Sequence, residues 1–320
     1  MLPLRRSELS SGGGVAAAEP CAKSSAVEGF WAHTRTLLEA LRPHHWFKNL
    51  LVFLPLVAAH RFLDVIPLAR SAEAFVAFTL CASSVYLMND VLDVQRDRAD
   101  LRKRQRPLAS GRLSIRQTTL ALCVTCLAAI AATLLLPGAF MAAMAGYVAL
   151  MVIYSFGAKL IPIVDVLILA AGYALRVAAG SIAARIALSG WLLAFCMFLF
   201  FSLALVKRYA ELRTRGDRES GYVLGYFSGD GALILAQGCA SGYIAVLVLA
   251  LYTTSKMAQD LSGRYQLFWL VCLLLFYCLS RLWLMAHRGR IRGDPVAYAL
   301  RDPVSGLIIL GTGLICLAAT

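Results

Sequence analysis

The sequence predicts an all-α, polytopic membrane protein of about nine transmembrane helices packed into one bundle. Two observations carry this. Of 320 residues, 60% are hydrophobic and only 15% charged, too apolar for a soluble domain of this size. Apolar stretches near the roughly 20 residues that a helix needs to cross a bilayer also recur from Trp46 to the C-terminus.

Nine such stretches are legible: 46–66, 71–92, 115–136, 138–156, 162–184, 188–208, 231–255, 265–286 and 303–319. Short connections join them, and no repeat period or second apolar-poor region interrupts them. Residues 29–320 therefore read as a single transmembrane domain. Residues 1–28, with Gly12, Gly13, Gly14, Ser24 and Ser25 and no periodic apolar face, are expected to be a disordered tail, since nothing there offsets the entropy of ordering. Arg5 and Arg6 interrupt the leading Leu2-Pro3-Leu4, so no signal-peptide core is expected.

The net charge of +13 does not point to nucleic acid, because its placement follows the membrane pattern. Of 31 Lys and Arg residues, 24 gather in the leading segment and at the loops after spans 2, 4, 6 and 8. Arg61, Arg70, Arg185, Lys256 and Arg264 occupy the opposite side, and Arg176 and Arg281 lie within spans. The positive-inside rule assigns the basic side to the cytoplasm, with the N-terminus there and the C-terminus outside. Nothing in the sequence fixes an oligomeric state. The nine cysteines lie mostly in apolar spans, without the alternation with His of a zinc site. Cys123 and Cys126 form a C-x-x-C in mid-helix, far from any βαβ pattern, so it does not read as redox chemistry.

Chemistry concentrates at the end of the second span, in Tyr86-Leu87-Met88-Asn89-Asp90-Val91-Leu92-Asp93-Val94-Gln95-Arg96-Asp97-Arg98-Ala99-Asp100. At 100° per residue, Asn89, Asp90, Asp93, Asp97 and Asp100 fall within about a 100° arc. Clustered carboxylates at a membrane face repel one another unless a cation neutralises them. Mg²⁺, which takes a few carboxylates together with water and phosphate oxygens, satisfies that demand, with Asn89, Asp90, Asp93 and Asp97 as ligands. The plainer reading is a solvated helix end whose acids pair with Arg96, Arg98 and Arg102.

Basic residues surround the stripe. Arg104 and Arg106, in the loop ahead of Ser114, present planar forks suited to phosphate, although a positive-inside anchor explains them equally well. Ser114 is placed to N-cap the third span. Lys48 and Asn49 lie inside the first apolar stretch, where Lys48 requires an anion or a snorkelling route. Lys159 is the lone charge of the turn between spans 4 and 5. Asp165 and Arg176 are too far apart on one helix to pair and must each find a partner elsewhere. In Lys207-Arg208-Tyr209-Ala210-Glu211, Lys207 and Glu211 share a face at i, i+4. Either they pair, or Glu211 faces the stripe as a further ligand with Lys207 and Arg208 on phosphate.

Together these segments resemble the UbiA superfamily of intramembrane prenyltransferases. Its N-D-x-x-D-x-x-x-D hallmark is matched by Asn89, Asp90, Asp93 and Asp97. The likeness runs from Leu41 to Gly306 through R-P-x-x-W-x-K-N at Arg42–Asn49, R-P-L-x-S-G at Arg106–Gly111 and Y-S-x-x-x-K-x-x-P at Tyr154–Pro162. It implies a helical bundle with a central, laterally open cavity capped by loops after spans 2 and 6, and it adds Asn49 and Tyr154 to the substrate phosphate-binding set. Aromatic-prenylating members carry a second aspartate-rich motif where this chain has Lys207, Arg208 and Glu211. With I-P-x-V-D-V, K-R-x-A-E and the G-D-P-V-x-Y-A of Gly293–Ala299, the chain looks more like the decaprenyl-phosphate phosphoribosyltransferase branch.

That resemblance implies a transferase of a bacterial plasma membrane that serves cell-envelope synthesis. It would move a phosphoribosyl group from phosphoribosyl diphosphate to a polyprenyl phosphate, with Asp90, Asp93, Asp97 and Glu211 as catalytic residues. Two anionic substrates call for the basic excess of Lys48, Lys159, Lys207 and Arg208. The competing expectation on the same fold is transfer of a prenyl group from a prenyl diphosphate to an aromatic or quinone-precursor acceptor. A cation transporter would place its acids near the midplane rather than at one face.

Overall fold

The computed structural model describes residue 31 and residues 33–100, 103–215, 222–256, 264–291 and 293–319. The expected tail, 1–28, lies outside the described residues, as does Arg102.

A helix over residues 33–41 (α1) leads into a 3₁₀ segment, Pro43–Phe53, and a short α2, Leu54–Ala58. Then follow α3 (Val65–Leu92), α4 (Val94–Ala99), α5 (Ile115–Leu134), α6 (Gly138–Phe156), α7 (Val164–Ala184) and α8 (Gly190–Arg215). A hairpin of β1 (Tyr222–Val223) and β2 (Tyr226–Phe227) precedes α9 (Gly231–Thr253), α10 (Phe268–His287), α11 (Pro295–Arg301) and α12 (Pro303–Ala319). Among the described residues seven helices are long and apolar enough to cross a membrane, or eight if α11 and α12, bent by 86°, form one span. The chain is an integral membrane protein.

The expected count of nine is not confirmed among the described residues, and the difference lies in the first and last apolar stretches. Pro43–Phe53 winds as a 3₁₀ helix of 11 residues and only five more are α-helical. Because a 3₁₀ helix rises about 2.0 Å per residue, this segment still extends roughly 30 Å. It packs against α7, where Gly180 makes room: a Cβ there would stand 2.1 Å from the carbonyl oxygen of Val52. The last stretch is also interrupted. Asp294 caps α11, and Pro303 starts a new helix because it cannot continue the old one.

Two aromatic-centred cores hold the bundle. In one, Phe78 of α3 meets Phe140 and Tyr147 of α6 edge-on at 5.8 and 5.4 Å, backed by Val52 and the small residues Ala179 and Ala183 of α7. In the other, Leu205 and Tyr209 of α8, Ile234 of α9 and Trp283 and Ala286 of α10 pack together. Small residues at such contacts let the backbones approach closely, which is how helices associate where lipid gives no hydrophobic drive. Ser114 caps α5 in a full capping box with Gln117.

The β-hairpin is a departure from the all-helical expectation. Leu224 and Gly225 both have positive φ (48° and 89°), the two-residue turn that suits strand twist. Gly225 presses on the turn after α6, where a Cβ would come 2.3 Å from the carbonyl oxygen of Leu160. The hairpin thereby latches onto the same end of the bundle as the acidic stripe.

Candidate active site

The acidic stripe is not one continuous helix. α3 ends at Leu92 and Asp93 turns (φ −98°, ψ 8°) before α4 begins. The hydrogen bonds from Asp93 N to Asn89 O (2.9 Å) and from Asp97 N to Asp93 O (2.8 Å) carry helical spacing across the joint, so the acids keep to one side. Asn89 is half-buried at the end of α3, and the Asp100 carboxylate instead caps the 3₁₀ turn by accepting from Lys103 N at 3.2 Å.

Each acid of the stripe meets a cation. Asp90, 3% exposed, accepts from Arg42 and, at 3.2 Å, from Arg106 Nη1. The same Nη1 donates to Asp97 at 2.5 Å, and Asp97, 1% exposed, has Lys103 Nζ at 3.8 Å from its other oxygen. Asp93, more open, lies 3.7 Å from Lys159 Nζ and 3.5 Å from Arg96 Nη1. Burial of these carboxylates at a membrane face is tolerable because cations compensate them. Arg104, expected beside Arg106, instead sits exposed in the 3₁₀ turn Lys103–Gln105.

A second ionic group sits beside the first. Arg208, 1% exposed, lies 2.6 Å from Asp165 Oδ2 and donates to Glu211, and Tyr154 is its further neighbour. Tyr226 of the hairpin donates to Asp165 Oδ1 at 2.7 Å while its oxygen accepts from Ile163 N at 2.7 Å. Glu211 thus pairs with Arg208 at i, i+3 rather than with Lys207, and it is not brought onto the acidic stripe. The reason is local: Arg208 points Nη2 inward to Asp165, and its Nη1 takes the Glu211 carboxylate one turn on.

Lys48 pairs with Asp294, and Lys207 adds its charge to the surroundings of that carboxylate. Burial alone would push the Asp294 carboxyl up, but the Lys48 charge and hydrogen bond outweigh it and hold the group below its usual range. Asn49, expected on phosphate, is 1% exposed and committed to protein: its amide donates to Thr79 at 3.1 Å and its oxygen accepts from Arg176 Nε at 2.9 Å. Arg176 also donates to the Gly172 carbonyl and the Tyr147 hydroxyl, and it lies over the Tyr147 ring at 4.6 Å.

Next to Lys48 lies a cavity of about 270 Å³ with apolar walls that include Phe47, Leu51, Leu54, Tyr173 and Phe200. Among the described residues no three His, Cys, Asp or Glu side chains converge as a ready metal site. The donor set fits a hard cation in another way. Two buried carboxylates share one guanidinium nitrogen, and Asp97 Oδ1 has no hydrogen-bond donor. Oxygen ligands thus already focus on one positive group.

Sequence reasoning missed Arg42, Asp294 and Tyr226 as members of this assembly. Arg42 and Asp294 stand inside motifs quoted from the sequence, so the signal was present; Tyr226 carried none.

The bundle sets buried aspartates against basic loops at one end, and the comparisons make this chain an intramembrane transferase. Residues 50–300 match the UbiA prenyltransferase family, and the chain belongs to it. It is 36% identical over 284 residues to the nodulation protein NoeC of Azorhizobium caulinodans, covering 87% of this chain and 91% of that one. It is 30% identical over 279 residues to the decaprenyl-phosphate phosphoribosyltransferase of Mycobacterium tuberculosis, covering 86% and 90%. Against an uncharacterized protein of Sinorhizobium fredii, 34% identical over 274 residues and 85% of this chain, it spans about half the length, 53%. Its fold is similar to that of a UbiA homolog from Archaeoglobus fulgidus bound to GPP and Mg²⁺, with a TM-score of 0.64 at 16% identity over 88% of this chain and 99% of that one.

Proposed function

We propose that this UbiA-family transferase moves a phosphoribosyl group from phosphoribosyl diphosphate to a polyprenyl phosphate and releases diphosphate. The observation that carries the reading is the excess of cations over acids at the site. Arg42, Arg96, Lys103, Arg106 and Lys159 meet the three stripe aspartates, whereas Lys48, Lys207 and Arg208 nearby are balanced one for one by Asp294, Asp165 and Glu211, so the surplus lies at the stripe itself. A site for two phosphorylated substrates needs that surplus; a site for one diphosphate and a neutral aromatic acceptor does not. Similarity to the mycobacterial phosphoribosyltransferase points the same way.

Asp90, Asp93 and Asp97 would hold Mg²⁺ together with the diphosphate oxygens, which complete a ligand sphere that protein alone does not close. When bound, the metal would neutralise the departing diphosphate. Arg106 and Lys103, on the loop above the stripe, exchange their carboxylate partners for phosphate oxygens, and Lys159 does so from the turn after α6. The bond between ribose C1 and the diphosphate oxygen breaks as a lipid phosphate oxygen bonds to C1, and the electron pair leaves with diphosphate. A phosphate monoester is already ionised near pH 7, so no residue has to remove a proton. Positioning and charge compensation carry the rate. The basic end faces the cytoplasm, by the positive-inside distribution, of a bacterial plasma membrane.

Purified protein incubated with Mg²⁺ and either phosphoribosyl diphosphate plus a polyprenyl phosphate, or a prenyl diphosphate plus hydroxybenzoate, tests this. Labelled phosphoribosyl lipid from the first pair is expected. Product from the second pair alone would replace this reading by prenyl transfer to an aromatic acceptor.

A further inference from the structure

Lys48 and Asp294 are unequal partners. Their side chains are each only 13% exposed. Lys48 otherwise has the rings of Phe47 and Tyr173 for company, at 5.9 and 5.8 Å from its nitrogen. Asp294 has more: its Oδ1 accepts from Val296 N and Ala297 N at 3.0 and 3.3 Å, and Lys207 lies near enough to act on it. If the pair parts, the carboxylate keeps two backbone donors and a nearby cation, whereas the ammonium keeps Tyr173 and Tyr86 as polar neighbours and loses its carboxylate. Parting the pair therefore costs Lys48 more than it costs Asp294.

The pair also joins the cavity's cation to its wall. Lys48 and Val296 both line the 270 Å³ cavity, and Val296 belongs to α11, the helix that Asp294 caps. α11 meets α12 at an 86° bend. An anion at Lys48 competes with Asp294 for the ammonium, whereas an uncharged hydroxyl head offers one neutral acceptor in exchange for a carboxylate.

We propose that Asp294 is a specificity-determining residue: it acts as an internal counter-ion of Lys48 that the phosphate of an isoprenoid lipid displaces and an uncharged isoprenoid alcohol does not. This rests on the reading of the chain as a polyprenyl-phosphate transferase. An internal competitor lowers apparent affinity by the fraction of protein in which Lys48 is free. Removing its charge while keeping the helix cap must then tighten phosphate binding.

The test is direct binding to the full chain in detergent, without phosphoribosyl diphosphate, using farnesyl phosphate and farnesol as probes. Wild type is expected to bind farnesyl phosphate in clear preference to farnesol. Asp294→Asn, which retains a capping side chain, is expected to bind farnesyl phosphate about tenfold tighter if Lys48 is free about a tenth of the time. Lys48→Met is expected to lose that preference. Asp294→Ser, also a capping residue without charge, repeats the measurement should the Asn variant not fold. Unchanged or weaker farnesyl phosphate binding in the folded Asn or Ser variant, or equal binding of farnesol by wild type, overturns the proposal. Because no transfer is read, that failure leaves phosphoribosyl transfer standing. A tenfold gain in a protein that makes no phosphoribosyl lipid would sink the functional reading alone.

Discussion

A single nitrogen of Arg106 lies 3.2 Å from Asp90 and 2.5 Å from Asp97, so one loop arginine bridges two buried aspartates that come from different helices. The bridge keeps the acids together without a metal and competes with any cation that would enter between them.

Arg106→Ala is therefore expected to act in opposite directions on two ligands. Affinity for Mn²⁺ alone rises, because the carboxylates lose their internal cation. The kcat/KM for phosphoribosyl diphosphate falls roughly 10- to 100-fold, the worth of a charged hydrogen bond. Metal titration beside steady-state kinetics checks both, and a fall in metal affinity would show that Arg106 does not compete.

Metal removal is expected to stop turnover without unfolding the protein. Arg42, Arg106 and Lys103 already compensate Asp90 and Asp97, so their charges need no metal for stability. Chelator treatment followed by Mg²⁺ addition should lose and regain activity while the unfolding temperature in detergent stays the same.

The Asp165–Arg208 pair is fully buried. Asp165→Ala would leave Arg208 buried with Glu211 as its one carboxylate beside Tyr154, and breaking such a pair costs on the order of 3–5 kcal/mol. Tyr226→Phe removes the donor to Asp165 and the acceptor of Ile163 N and should cost about 1–3 kcal/mol. Thermal unfolding of both variants in one detergent orders them, with Asp165→Ala the less stable.

Gly180→Ala should push the 3₁₀ segment off α7, because the added carbon would stand 2.1 Å from the Val52 carbonyl oxygen and backbone has to yield. A loss of about 1–3 kcal/mol is expected. Activity should fall with it, since Lys48 rides on that segment.

The long helices were legible because membrane spans write themselves in apolar length: α5, α6, α7, α9 and α10 begin and end within about three residues of the expected stretches, while α8 runs on past its expected end at 208 to Arg215. The first stretch read as an ordinary span because composition does not distinguish 3₁₀ from α winding. The hairpin was invisible, being two residues per strand. At the site, the acidic stripe was readable from spacing, but its partners were not. Arg42 reaches Asp90 across 48 positions, Tyr226 reaches Asp165 across 61, and Lys48 reaches Asp294 across 246. Such pairs depend on how the helices pack. Asn49 was expected on phosphate through the family resemblance, and Glu211 on the metal because bundles build sites from facing helices. The structure gives them protein partners, Arg176 and Arg208, that are themselves buried cations in need of acceptors.

The central claim is that the acids at the end of α3 and in α4 take a divalent ion together with a diphosphate. Electron paramagnetic resonance of Mn²⁺ with the full chain and phosphoribosyl diphosphate, in wild type and in the Asp93→Asn/Asp97→Asn double variant, tests it most directly. Bound Mn²⁺ that depends on the diphosphate in wild type and disappears in a folded double variant is the expected result. Equal diphosphate-dependent Mn²⁺ binding by both proteins would contradict the account.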